Sequence, residues 1–122
     1  MESEPEKEAF TTIAWRVAHL TTGFAARWEW SFGSRSVAVE DVVDFAATAD
    51  RGLEQLWSSF ARWREGIAHM DEENFLQVGY SQMPDGLDPT VPFASIVWWQ
   101  SREMVHHLAE IALLRDLFAA RP

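Results

Sequence analysis

The sequence predicts an all-α fold, a bundle of three main helices, and two observations carry that prediction. Apolar residues recur at steps of three and four along three long segments, the pattern of a helix buried on one side. Glycine and proline are concentrated in the stretches between those segments. At 122 residues the chain is one domain, long enough for a real core but without room for a second.

The opening Glu2-Ser-Glu-Pro-Glu-Lys-Glu8 reads as solvated tail, which divides the chain into an acidic disordered segment, 1–10, and a bundle domain, 11–122. Thr11 or Thr12 can cap a first helix running to about Trp30, with Ile13, Val17, Leu20, Phe24 and Trp28 at helical spacing. The Ser-Phe-Gly-Ser stretch at 31–34 ends it. A second helix is predicted from about Glu40 to Met70, where Val42, Phe45, Ala49, Leu53, Leu56, Phe60, Trp63 and Ile67 form one apolar face. Gly52 inside it costs about 1 kcal/mol relative to alanine. It is either a tolerated glycine or a point of close helix approach.

Asp71 can cap a short turn through Phe75. Gly79, Pro84, Gly86, Pro89 and Pro92 then make 78–92 a loop, either a crossover that sets the last helix antiparallel to its neighbour or a lid. The final helix is expected over about Phe93 to Ala119, burying Ile96, Val97, Met104, Leu108, Ile111, Leu114 and Phe118.

Composition removes several classes of function. A formal net charge of −9, with 19 acidic against 10 basic residues, argues against nucleic acid and anionic membranes as partners. The absence of cysteine excludes disulfides, thiolate zinc sites and a cysteine nucleophile, so any thiol chemistry needs a thiol cosubstrate. No apolar run approaches the ~18–20 residues of a membrane span, and no basic-then-apolar leader opens the chain. A cytoplasmic protein is expected. Seven Trp and eight Phe are more than three helices readily cover, which favours pairing of chains or an indole-lined pocket.

The chemistry is concentrated in Ser101–Leu117. Glu103 and His107 lie at i and i+4, so a carboxylate and an imidazole can grip one metal ion. His19, within the apolar pattern of the first helix, is the candidate third ligand. Arg16 or Arg102 could instead neutralise a buried Glu103 without any metal. His106, at i+3 from Glu103, competes with His107 and is otherwise expected at a helix boundary or in solvent. His69 closes the second helix as a surface histidine. Glu110 is either an acceptor orienting the His107 ring or an ion-pair partner of Arg115 or a neighbouring helix. Arg115 and Asp116 are expected to serve packing and salt bridges, and Trp15, Trp98 and Trp99 to belong to core or to wall a pocket near the metal.

These segments resemble a known family. His107-Leu-Ala-Glu-Ile111 is similar to the closing ligand motif of the DinB/YfiT-like superfamily, His-x-Gly-Gln-Ile, and Ile-Ala-Trp-Arg-Val-Ala-His19-Leu is similar to its first-ligand helix. Arg27-Trp-Glu-Trp-Ser-Phe-Gly33 and the run from Gly86-Leu-Asp-Pro89 through Val97-Trp-Trp99 resemble a mainly actinobacterial branch, and the Leu-Arg-Asp-Leu117 ending resembles that of the family. The resemblance implies an antiparallel up-down four-helix bundle with a metal site, commonly of three histidines, near one end. Some relatives are transferases or isomerases that use mycothiol, bacillithiol or glutathione.

By position, His19 matches the first family histidine and His107 the last. The middle histidine falls on Glu103, and carboxylate still ligates zinc, iron or manganese. Members of the branch normally begin with a further helix. The fourth bundle position is therefore expected to be empty or completed by a second copy in a homodimer. The implied cofactor is a divalent metal, Zn, Ni, Fe or Mn. The implied function is thiol-dependent transfer or isomerisation, or metal-dependent hydrolysis. The competing expectation is a non-catalytic helical homodimer or a small-ligand-binding module whose metal site has decayed.

Overall fold

The computed structural model describes residues 12–84 and 89–122. The acidic segment 1–10, Thr11 and Gly86 lie outside the described residues. Among the described residues the protein is built from four helices, α1 (Ile13–Phe32), α2 (Ala49–Ala68), α3 (Glu72–Leu76) and α4 (Phe93–Ala120), with a 3₁₀ turn at Val39–Asp41. The only pairing of extended backbone among them is an isolated antiparallel bridge between Val78 and Pro92 at the base of the loop.

The caps at Thr12 and Asp71 are those the sequence predicts, and the second helix starts at a cap it does not, Thr48. The Thr12 hydroxyl accepts from the Trp15 N–H for α1, and Thr48 accepts from Arg51 for α2. Asp71 and Asn74 form a reciprocal capping box on α3. Pro92 precedes α4, where its fixed φ is compatible with helix entry.

The second helix begins at Ala49, nine residues later than the predicted Glu40, and topology gives the reason. Ile13 lines the same groove as Gly52 and Leu53, while Phe32 reaches Gly66, so α1 and α2 run parallel. The intervening chain must return the ~30 Å length of a twenty-residue helix. Had α2 begun at residue 40, its start would lie ~13 Å further down, leaving seven residues to span ~44 Å where they reach at most ~25 Å. Val42 and Phe45 therefore belong to the return segment. It is held by the Gln55 side chain, whose amide donates to Asp44 O at 2.5 Å while its oxygen accepts from Ala46 N at 3.2 Å.

Loop 78–92 then acts as the crossover, because α4 runs antiparallel to both. Phe93 at its start packs on Phe32 and Trp63 near the ends of α1 and α2. The core is Leu20 and Phe24 of α1, Leu56 and Trp63 of α2, and Phe93 and Ile96 of α4, all at most 2% exposed. Phe60, Phe32 and Tyr80 close around it with ring centroids 4.9–6.2 Å from their aromatic neighbours.

The predicted buried face of α4 is met in its first half and only in part in its second, where Ile111 and Leu114 are half-buried. Ile96 is buried and Val97 and Met104 pack on the core, but Leu108 is 36% and Phe118 62% exposed. A 28-residue helix is ~42 Å long, against ~30 Å for its twenty-residue neighbours, so the last turns overhang them. Gly52 meets nothing within 4 Å of an added Cβ and is a tolerated glycine. No helix among the described residues is long and apolar enough to cross a membrane.

Candidate metal centre

The antiparallel contact between α1 and α4 brings Trp15, Arg16 and His19 of one helix against Glu103, His107 and Glu110 of the other. These residues recur at three- and four-residue steps, so each set occupies one helix face. His107 Nε2 lies 3.0 Å from Glu103 Oε2, and His19 Nε2 lies 3.7 Å from that same oxygen. One ligand atom from each of the three can be chosen so that all lie within 4.8 Å of one another. Ligand bonds of about 2.0–2.2 Å in tetrahedral geometry set donor atoms roughly 3.3–3.6 Å apart. The two carboxylate distances bracket that spacing, and the two histidine nitrogens, within 4.8 Å of each other, would have to close to complete the set.

His107 is the best-sheltered member at 12% side-chain exposure, against 26% for Glu103 and 46% for His19. Its Nδ1 is 2.6 Å from Glu110 Oε1. Glu110 is anchored in turn by Arg16, whose guanidinium donates to Oε2 at 3.3 Å. That hydrogen bond holds the Glu110 carboxyl below the usual carboxylate range; burial opposes the effect, and His107 adds to it. An ionised Glu110 only accepts, so Nδ1 carries a proton, and in neutral imidazole Nε2 then presents a lone pair towards Glu103. A lone pair facing a carboxylate at 3.0 Å requires either a second ring proton or a cation between them.

The rings add a second constraint. Trp15 stacks on His19 with centroids 5.0 Å apart and planes 6° from parallel, and His107 meets His19 edge-on at 4.7 Å. The cluster therefore has one walled side and one open side. Trp15 and Trp99 stand near it, whereas Trp98 is 62% exposed. Arg102 lies over the Trp98 and Trp99 rings, and Arg16 serves Glu110, so the sequence-level alternative of arginine neutralising Glu103 finds no support in either contact.

His106 is 62% exposed and reaches only Glu110, at 3.8 Å. His69 is exposed, with Nδ1 2.8 Å from Glu65 O. The Arg27–Gly33 segment has a structural role: Glu29 takes hydrogen bonds from the Ser34 hydroxyl and backbone, which lower its carboxyl pKa, and Trp30 donates to Val37 O.

Sequence reasoning missed three residues beside the cluster. Gly23, Arg27 and Gln100 line a cleft of about 300 Å³ that also touches His19, Glu103, Met83 and Trp99. Register held the signal, since Gly23 is one turn beyond His19 and Gln100 one turn before Glu103. Neither residue type announces a site by itself.

Fold and site together define an all-α bundle with a histidine–carboxylate cluster between two of its helices. The family model described as DinB superfamily matches residues 3–111, and the chain belongs to that superfamily. Comparisons with curated proteins and with solved structures each return no significant match.

Proposed function

We propose that this chain is a metal-binding DinB-type protein in which His19, Glu103 and His107 hold one divalent ion, Zn, Ni, Fe or Mn. The observation that carries the reading is the placement of His107 between two carboxylates, with His19 at the open corner of the same cluster. One carboxylate and two neutral imidazoles leave a divalent ion with net charge +1, and three protein ligands leave at least one coordination position for substrate. A metal there would lower the pKa of a coordinated water or thiol.

In this reading Glu110 fixes the His107 ring through Nδ1 and Arg16 fixes Glu110, the usual support for a ligating imidazole. With no cysteine in the chain, a reacting thiol comes from a low-molecular-weight cosubstrate. The reaction class is thiol-dependent transfer or isomerisation, or hydrolysis. Elemental analysis of untagged protein tests the site. One divalent ion per chain, lost in His19→Ala and His107→Ala, is expected; metal-free protein of unchanged fold after exposure to each of the four ions overturns it.

A second reading, a helical homodimer in which the cluster is a remnant, is favoured by one specific observation. Leu53 and Trp57 on α2 and Val105, Leu113, Leu117 and Phe118 on α4 are 45–70% exposed. Exposed apolar side chains that form a contiguous patch mark a protein–protein contact site. Dimer and metal site are compatible, and metal content separates a working centre from a remnant.

A further inference from the structure

We propose that Trp15 is the positioning residue for the His19 ligand, its indole face doing for that ring what Glu110 does for His107. The inference rests on the proposed metal site and adds to it a group that touches no ion. His107 is oriented by an acceptor, with Glu110 Oε1 2.6 Å from its Nδ1. His19 has no such anchor: among the described residues the one acid within 4 Å is Glu103, at 3.7 Å, beyond hydrogen-bonding distance. Its side chain is 46% exposed, so sterics alone leave the ring several rotamers. Each rotamer that turns Nε2 away from Glu103 must be given up before the ring can ligate, and that loss of freedom weakens binding.

Aromatic contact supplies what hydrogen bonding does not. Trp15, four residues earlier on α1, lies on the same helix face. Its ring stacks on His19 with centroids 5.0 Å apart and planes 6° from parallel, while His107 crosses at 76° with centroids 4.7 Å away. Rotation of the His19 ring is opposed from both directions. Trp15 itself is 48% exposed, and its ring partners among the described residues are the two candidate imidazoles, at 5.0 and 6.3 Å. An indole so placed adds little to the core, and its contacts point to the cluster. Two successive residues of α1 thus serve the two imidazoles, Trp15 by stacking on His19 and Arg16 by holding the Glu110 that faces His107.

Stacking contributes to metal affinity only if it is stronger with the ion bound than without it. A ligating imidazole donates its lone pair to a cation and becomes electron-poor, and the face of an indole is electron-rich. The stack therefore tightens on loading, at the one imidazole of the pair that no acceptor orients. Trp15→Leu keeps apolar bulk but removes the flat face; Trp15→Phe keeps a flat π face of smaller area.

The test measures zinc affinity by chelator competition and the visible absorption of cobalt-loaded protein, in the parent, Trp15→Leu and Trp15→Phe, with circular dichroism and metal-free melting to report the fold. Trp15→Leu is expected to weaken zinc binding about two- to tenfold, the range of an aromatic pair, and to change the cobalt absorption as the His19 ligand gives way to water. Trp15→Phe is expected to restore most of both. Trp15→Gln, a helix-compatible residue for a half-exposed position, is expected to behave as Trp15→Leu and replaces it if the leucine variant loses helicity. A packing role alone would lower the melting temperature and leave the spectrum of the bound ion as it was. The proposal is overturned by Trp15→Leu and Trp15→Gln proteins that bind zinc as the parent does, by a loss of affinity without a change in the cobalt spectrum, or by a loss that Trp15→Phe repeats in full; in each case the metal site stands. A parent that takes up neither zinc nor cobalt overturns the metal reading, and this inference with it.

Discussion

His107 sets each ring nitrogen beside an acid of its own helix, Nδ1 2.6 Å from Glu110 and Nε2 3.0 Å from Glu103, and everything at the candidate centre depends on what compensates that arrangement. Glu110→Gln tests the support. Replacing the acceptor-only carboxylate by an uncharged amide that can donate as well as accept leaves the Nδ1 tautomer unfixed, and loss of such a partner typically costs about 10–100-fold in metal affinity. A chelator-competition titration measures it. The same variant carries a pH signature. Arg16 first, then His107, lower the Glu110 carboxyl in the folded protein while burial opposes them. A depressed folded value means the contribution to stability is present above the unfolded value, about 4.3, and is lost as pH falls through the folded one. Thermal denaturation of metal-free protein should show Glu110→Gln less stable than the parent at about pH 7, with the gap closing as the pH falls below the usual carboxylate range. A gap that widens in acid would contradict the assignment of charge at Glu110.

At the scale of elements, two glycines on α2 make opposite predictions. Gly52→Ala introduces a methyl into open space on a helix, so it should stabilise the protein by up to about 1 kcal/mol. Gly66→Ala places its methyl 2.5 Å from the Phe32 ring and should destabilise by about 1–3 kcal/mol, read from denaturant midpoints. Thr48→Ala removes the cap at the true start of α2 and should cost about 1 kcal/mol. The last prediction separates the two starting points for this helix, since a helix beginning near Glu40 would barely register the change.

Helix positions were legible because caps and periodicity are local. Thr12, Asp71 and the 93–120 pattern needed no tertiary information. The start of α2 was not legible, because Val42 and Phe45 continue the apolar rhythm and only the parallel course of α1 and α2 forces them out of the helix. The site divides the same way. Glu103 and His107 share a face by sequence spacing alone, whereas the approach of His19 depends on which way α4 runs, and here the family resemblance supplied what spacing could not.

For the whole molecule, the parallel α1–α2 pair with α4 laid antiparallel leaves apolar side chains of α2 and of the overhanging end of α4 at the surface. Light scattering should give a mass near twice 14.0 kDa. Trp57→Lys should shift the chain towards monomer without changing its helicity. A monomer with a narrow unfolding transition would show that this surface stays uncovered.

Trp15 lies flat against His19, so its emission depends on the electronic state of that imidazole. An indole pressed on a neutral ring and one pressed on a ring drained of electron density by an ion emit differently, and subtracting the Trp15→Phe spectrum isolates the signal from the other six tryptophans. The protein thus carries its own dye beside the one corner of the cluster that faces solvent, and occupancy can be followed in real time without a label.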